Sequence, residues 1–208
     1  MAIDELLDEH EQGERVRDWL RRNGAGIVGG IVLGLALVGG WKWWQAQQLS
    51  QRMQAGENYQ SMLARIEAGD LAQAQAVDPG QGAYATLAAL SHAKAQVEAG
   101  DRDAAIATLR GVDDVDPVLA HVVGQRLARL LTDAGQHQEA LQLVAGADDA
   151  ASLEIRGDAQ VALGKPEEAR KAYADALTRL DVAAPQRRLI EIKLTHVGGS
   201  PAQPEAST

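Results

Sequence analysis

The side chains able to do acid–base, nucleophilic or metal chemistry are few. The five histidines are His10, His92, His121, His137 and His196. No two stand four residues apart, the spacing that puts a pair of imidazoles on one helix face as metal ligands. His92 and His121 fall in helical stretches and read as ordinary helix residues. Asp113, Asp114 and Asp116, in the run VDDVDP, form a small acidic knot. A calcium loop would add a glycine at its sharp bend and a distal glutamate, and both are missing. Ahead of Pro117 the knot reads as a solvated loop between helices. Glu167 and Glu168 suit the first turn of a helix, where negative charge is favoured. The chain has no cysteine, which excludes thiol chemistry and thiolate metal sites. It has no phosphate loop, dinucleotide fingerprint or G-x-S-x-G elbow. The expectation is a protein that is not an enzyme, with no catalytic residue, no cofactor and no metal.

The elements that would position any binding surface are easier to read. Asn23 to Trp41 (NGAGIVGGIVLGLALVGGW) is uncharged throughout. As a helix rising about 1.5 Å per residue it reaches roughly 29 Å, about the thickness of a bilayer's hydrocarbon core. Trp19, Arg21 and Arg22 flank one end, and Trp41, Lys42, Trp43 and Trp44 the other. That mixture of aromatic and basic residues is the interfacial belt of a membrane anchor. A buried core helix would be shorter and would lack such brackets. A cleaved signal peptide fits less well, because its apolar region runs to about 7–15 residues. Seven acidic residues also precede the stretch, and bulky tryptophans stand where a small-x-small cleavage site belongs.

Arg15, Arg17, Arg21 and Arg22 precede the span, against Lys42 and Arg52 after it. Counting basic residues alone, the N-terminus stays cytoplasmic and the bulk of the chain is exported, a single-pass type II arrangement. In a bacterium this places the protein in the inner membrane with residues 45–208 in the periplasm. Gly26, Gly30 and Gly34 share one helix face, which would let another membrane helix approach closely; glycine is also simply common in such spans.

Net charge is −9, with −2 in residues 1–44 and −7 in residues 45–208. An acidic exported domain argues against nucleic acid and against a polybasic grip on anionic lipid. Phenylalanine is absent and aromatics make up 3% of the chain, while alanine abounds. A core of that composition needs closely spaced helices.

The expected organisation is all-α in four parts. Residues 1–22 form a cytoplasmic segment, acidic early and basic late, with helical spacing. Residues 23–44 form the transmembrane helix. Residues 45–197 form a periplasmic helical domain, into which the membrane helix runs with little linker; Leu49, Met53, Tyr59, Met62, Leu63 and Ile66 are its first apolar positions. Residues 198–208 form a disordered tail of small and polar residues.

Within the domain a theme recurs. Gly69, Gly100, Gly135 and Gly164 are each followed five residues later by alanine: Ala74, Ala105, Ala140 and Ala169. A turn glycine, then a second helix with a close-packing alanine, at a period near 34, is the pattern of a tetratricopeptide-like solenoid. The last repeat is clearest. Leu153 takes the first large apolar position, Gly157 a close contact on the first helix and Gly164 the turn. Pro166 starts the second helix, on which Ala169, Tyr173 and Ala176 follow. Arg156 and Gln160 are more polar than that pattern expects. The repeat near Gly69 is degenerate, its second helix interrupted by Asp78-Pro79-Gly80.

In order and texture the chain resembles the YfgM-like ancillary SecYEG translocon subunit family. The resemblance rests on the short charged first segment and the Gly-rich span ending Gly40-Trp41-Lys42-Trp43-Trp44. It also rests on Gln125-Arg126-Leu127-Ala128-Arg129-Leu130, Ile155-Arg156-Gly157-Asp158 and Ile192-Lys193-Leu194. What the resemblance implies is an inner-membrane adaptor of the SecYEG translocon. Its periplasmic repeats would receive exported client proteins beside a membrane-anchored PpiD-like chaperone and hand them to the periplasmic chaperone network. Negative control of an envelope-stress response is also implied, through a cytosolic regulator that only residues 1–22 could reach. The alternative is a membrane-anchored scaffold for cell-envelope assembly or division, without unfolded clients.

Overall fold

The computed structural model describes residues 2–112 and 115–201, with the backbone alone for 2–14. Among these residues the helices are α1 (Ala2–Glu67), α2 (Leu71–Gln75), α3 (Ala83–Glu98), α4 (Arg102–Arg110), α5 (Ala120–Asp133), α6 (His137–Leu143), α7 (Ala150–Ala162), α8 (Pro166–Thr178) and α9 (Arg187–His196). No strand occurs among them. The chain divides into two units, Met1–Gln54 and Ala55–Thr208.

The first unit consists of the N-terminal part of α1. From Val16 to Met53 its large apolar side chains, among them Leu33, Leu35 and Leu37, stand exposed.

In the second unit, glycine sets the helix ends. Gly69, Gly100, Gly135 and Gly164 have φ between +71° and +85°, left-handed backbone that costs glycine nothing. Around Gly100 the glycine amide donates to Val97 O at 2.9 Å, and the next amide, of Asp101, donates to Gln96 O at 2.8 Å. The same pair of bonds closes the helices before Gly69, Gly135 and Gly164. This is the Schellman arrangement, which satisfies carbonyls the helix cannot. Asp70 Oδ1 and Asp101 Oδ1 then accept from Gln73 N and Ala104 N, both at 3.0 Å, and start the following helix; Pro166 opens α8.

Each glycine turn therefore makes a helical hairpin. Ala74, Ala105, Ala140 and Ala169 are all fully buried, because their small side chains lie where the paired helices come closest. Three apolar clusters follow the chain. Met62, Ala74 and Ala88 gather Tyr59, Leu63, Ile66 and Val77 around them. A central cluster joins Ala93, Ile106, Leu109, Leu127, Leu131, Val144 and Ile155 across α3 to α7. Leu153, Tyr173, Ala176, Leu177, Ile190 and Leu194 tie α7, α8 and α9.

Two details differ from the periodicity. Of the apolar positions expected along Gln45–Glu67, Leu49 and Met53 are exposed while Met62 is buried. The reason lies in the reach of α3, whose Tyr84 ring packs beside Gly56 and Tyr59. At the other end, Gly198 has φ of +79°. Gly198 N and Gly199 N donate to Thr195 O at 3.0 Å and to Leu194 O at 2.9 Å. Two residues assigned to the tail thus form a fifth turn of the same type, and residues 202–208 lie outside the described residues.

Candidate functional site

The apolar stretch belongs to a helix long and apolar enough to cross a membrane, and none of its window is buried. A Cβ added at Gly26, Gly30 or Gly34 would meet nothing within 4 Å, so these glycines leave a bare, shallow strip. Trp19, Trp41, Trp43 and Trp44 are exposed, and the rings of Trp41 and Trp44 lie 5.3 Å apart. Arg21, Arg22 and Lys42 are exposed as well; Arg22 sits 3.9 Å from Asp18, one helix turn away. Asn23 Nδ2 donates to Trp19 O at 3.0 Å, so the first polar residue of the stretch bonds back along the helix.

The signature of the last repeat lies at the α7–α8 crossing. Leu153, Ala169, Tyr173 and Ala176 are buried, and the Tyr173 ring lies flush on Gly157. Tyr173 OH donates to Asp158 Oδ1 at 2.7 Å. Burial and the Asp158 carboxylate together hold the phenol well above its ordinary pKa. Arg156 is occupied locally: its Nη2 donates to Val144 O at 2.7 Å and Ala147 O at 2.8 Å, binding the turn after α6. Gln160 Oε1 is buried without a partner, and nothing in the structure explains that polar choice.

Next to this crossing is a polar cluster that periodicity did not reveal. Glu154 is 5% exposed. Its Oε2 accepts from Arg129 Nη2 at 2.9 Å and its Oε1 from Lys193 Nζ at 2.6 Å. Lys193 Nζ also donates to Asp158 Oδ2 at 2.7 Å. Burial alone would push the Glu154 carboxyl up, but the hydrogen bonds from Lys193 and Arg129 outweigh it and hold the pKa below the usual range. Arg129, Glu154, Asp158 and Lys193 come from α5, α7 and α9, so the cluster fixes three helices rather than presenting a reactive group. Its sequence signal is slight, an acid set between the apolar Leu153 and Ile155 of one helix.

The candidates for chemistry are dispersed. His92 is buried in α3, His137 opens α6 and His196 closes α9; the side chain of His10, with Asp113 and Asp114, lies outside the described residues. Asp116 Oδ1 accepts from Val118 N at 2.9 Å and shapes the turn before α5. Glu167 pairs with Arg170 at 2.8 Å. One grouping contains the three residue types of a serine-hydrolase triad: His121, Asp149 and Ser152. There the amide Nε2 of Gln125 lies 2.8 Å from Asp149 Oδ1 and 2.9 Å from both Ser152 Oγ and His121 Nε2. An imidazole must stand between acid and hydroxyl to activate a serine. Here His121 Nε2 lies 2.8 Å from Asp149 Oδ2, but the group that meets the hydroxyl is the Gln125 amide, and Ser152 is fully buried. Asp149 instead caps α7, its Oδ1 accepting from Ala151 N and Ser152 N at 3.1 Å. Among the described residues no three His, Cys, Asp or Glu side chains converge on a metal-sized space.

A family model described as a tetratricopeptide repeat-like domain matches residues 17–199. Three curated proteins called ancillary SecYEG translocon subunit are similar over most of their length. The Haemophilus influenzae protein is 28% identical over 181 residues, 82% of this chain and 89% of that one. The Escherichia coli K12 protein is 26% identical over 200 residues, 91% and 97% of the two chains. The Aggregatibacter actinomycetemcomitans protein is 27% identical over 202 residues, 92% and 98%. No solved structure matches the chain.

Proposed function

The chain belongs to the tetratricopeptide repeat-like domain family, and from that premise we propose that it is a non-enzymatic, membrane-anchored adaptor of the SecYEG translocon. One observation carries this reading. The similarity to proteins named as ancillary subunits of that translocon covers 82% to 92% of the chain, and the repeat-like family model reaches from residue 17, ahead of the apolar run, to residue 199. In this reading the span 23–44 anchors the protein in the bacterial inner membrane. Its tryptophan and arginine belts lie at the two interfaces, and its glycine strip is open to a membrane helix. The basic residues before the span keep residues 1–22 cytoplasmic and the repeat unit periplasmic. An anchored solenoid stays beside its partner at high effective concentration. Emerging proteins would meet the repeats first and pass to a PpiD-like chaperone; control of an envelope-stress response would run through residues 1–22.

The test is purification of the full-length protein from native membranes in mild detergent, with partners identified by mass spectrometry. Translocon subunits recovered together with a periplasmic chaperone are the expected result. Recovery of envelope-assembly or division proteins without the translocon would replace the adaptor reading with that of a scaffold.

A further inference from the structure

Helix α9 is the last of the described helices, and one of its faces is uncovered. The turn glycines give the helices a common register. Arg129 stands six residues before Gly135, and Asp158 six before Gly164. Each reaches the helix stacked next in the series: Arg129 meets Glu154 of α7 at 2.9 Å, and Asp158 meets Lys193 of α9 at 2.7 Å. Six residues before Gly198 is Ile192, so it occupies the position from which α5 and α7 hold their successors. Among the described residues nothing covers it: Ile192 is 58% exposed, with Leu189 beside it 52% exposed. The outer face of an end repeat is ordinarily polar.

The flanking side chains define what this face accepts. Arg188 and His196 stand one turn to either side of Ile192, and with Glu191 and Thr195 they frame an open hollow of about 440 Å³. The free charge there is basic. Glu191 is held by Arg187 at 3.0 Å, and Lys193 by Glu154 and Asp158. Arg188 is exposed and has no ion-pair partner among the described residues. At both earlier joints the arriving helix brings the opposite charge, Glu154 to Arg129 and Lys193 to Asp158. On α9 an arriving helix would bring an acid to Arg188. A second copy of α9 supplies none: laid antiparallel across Ile192 it sets His196 against Arg188, and laid parallel it sets Arg188 against Arg188, a juxtaposition that costs energy. A helix of ten residues is also only about 15 Å long. That is too short for the roughly 800 Å² per partner of a standard stable interface, but it matches a single helix laid along it.

We propose that the outer face of α9 docks an acidic amphipathic helix of a partner protein, with aliphatic side chains against Leu189 and Ile192 and a carboxylate on Arg188. The proposal rests on the adaptor reading and names the surface by which the repeat unit holds a partner.

The experiment uses the full-length protein in detergent, with a photo-crosslinking side chain at Thr195. The probes are a fluorescent helical peptide with Leu and Ile on one face flanked by glutamates, and the same peptide with lysines in place of the glutamates. The glutamate peptide binds, cross-links at Thr195 and outcompetes the lysine form by at least about tenfold. Ile192→Glu, at an exposed side chain, weakens its binding by a similar factor. Arg188→Glu reverses the preference, so that the lysine form binds better, and loss of the fold cannot produce a reversal. Equal affinity of the two peptides for wild type, or unchanged affinity in both variants, overturns the proposal. So does a Thr195 adduct with a second copy of the chain or with residues 202–208. Recovery of SecYEG by the same preparation is read separately. Its absence with peptide binding intact removes the adaptor reading alone, and its presence without peptide binding removes this proposal alone.

Discussion

A Cβ placed on Gly157 would stand 2.3 Å from Cε1 of Tyr173. No real side chain tolerates that distance, and the ring cannot swing away: it is 2% exposed and its hydroxyl is bonded to Asp158. The spacing of α7 and α8 is therefore set by an absent methyl group.

Gly157→Ala should destabilise the repeat unit although alanine is the better helix former. The helix gains at most about 1 kcal/mol, while overpacking against a fixed ring costs about 1–3 kcal/mol or more. Gly124→Ala supplies the contrast. It lies within α5 with nothing inside 4 Å of its added Cβ, and should gain about 0.5–1 kcal/mol. Urea unfolding followed by circular dichroism reads both, and shifts of the same sign would contradict the packing described.

Glu154 ties α5 and α9 to α7, and its carboxyl pKa is depressed in the fold. A depressed acid stabilises fully above its unfolded value of about 4.5; that contribution is lost as pH falls through the lower folded value. Glu154→Gln should cost about 1.5–3 kcal/mol near neutrality and flatten the fall in stability below pH 4.5. Unfolding midpoints measured across the acid range would show both effects, and an unchanged slope would count against the cluster.

His92 titrates with the same sense for a different reason. Burial lowers its pKa from 6.5, so below that pH the unfolded chain takes up a proton that the folded chain refuses. Stability from this residue is full above pH 6.5 and declines as pH falls towards the folded value. His92→Leu should remove that slope, as melting curves in the mildly acid range would reveal.

Deleting residues 1–44 should release a helical protein that no longer sediments with membranes or recovers SecYEG. Each apolar cluster of the repeat unit lies between Tyr59 and Val197, so its core is complete without the span. Within the full chain, Gly30→Leu meets open space. It should leave helicity unchanged and reduce translocon recovery. Undiminished recovery would show that the strip is not used.

The local parts were legible along the chain. Four glycines spaced near a repeat period take positive φ, and the four alanines that follow them are buried, because turn conformation and close helix contact are demands on single residue types at short range. The uncharged run 23–41 is equally local. A membrane-length helix is a matter of consecutive residues, and its hydrophobicity does not depend on distant partners. The partners of the polar residues are not local. Arg156 departs from the repeat pattern, and the carbonyls of Val144 and Ala147 that it binds come from the turn before its helix. Lys193 meets Glu154 across 39 positions, and Asp116 N donates to Thr86 Oγ1 across 30. No periodicity encodes such pairs. The loop after α2 depends likewise on Asn58, twenty positions upstream of the Asp78 carbonyl it binds. Tertiary packing settles these pairs, because charge pairing depends on which surfaces meet, and those surfaces exist only once the hairpins stack.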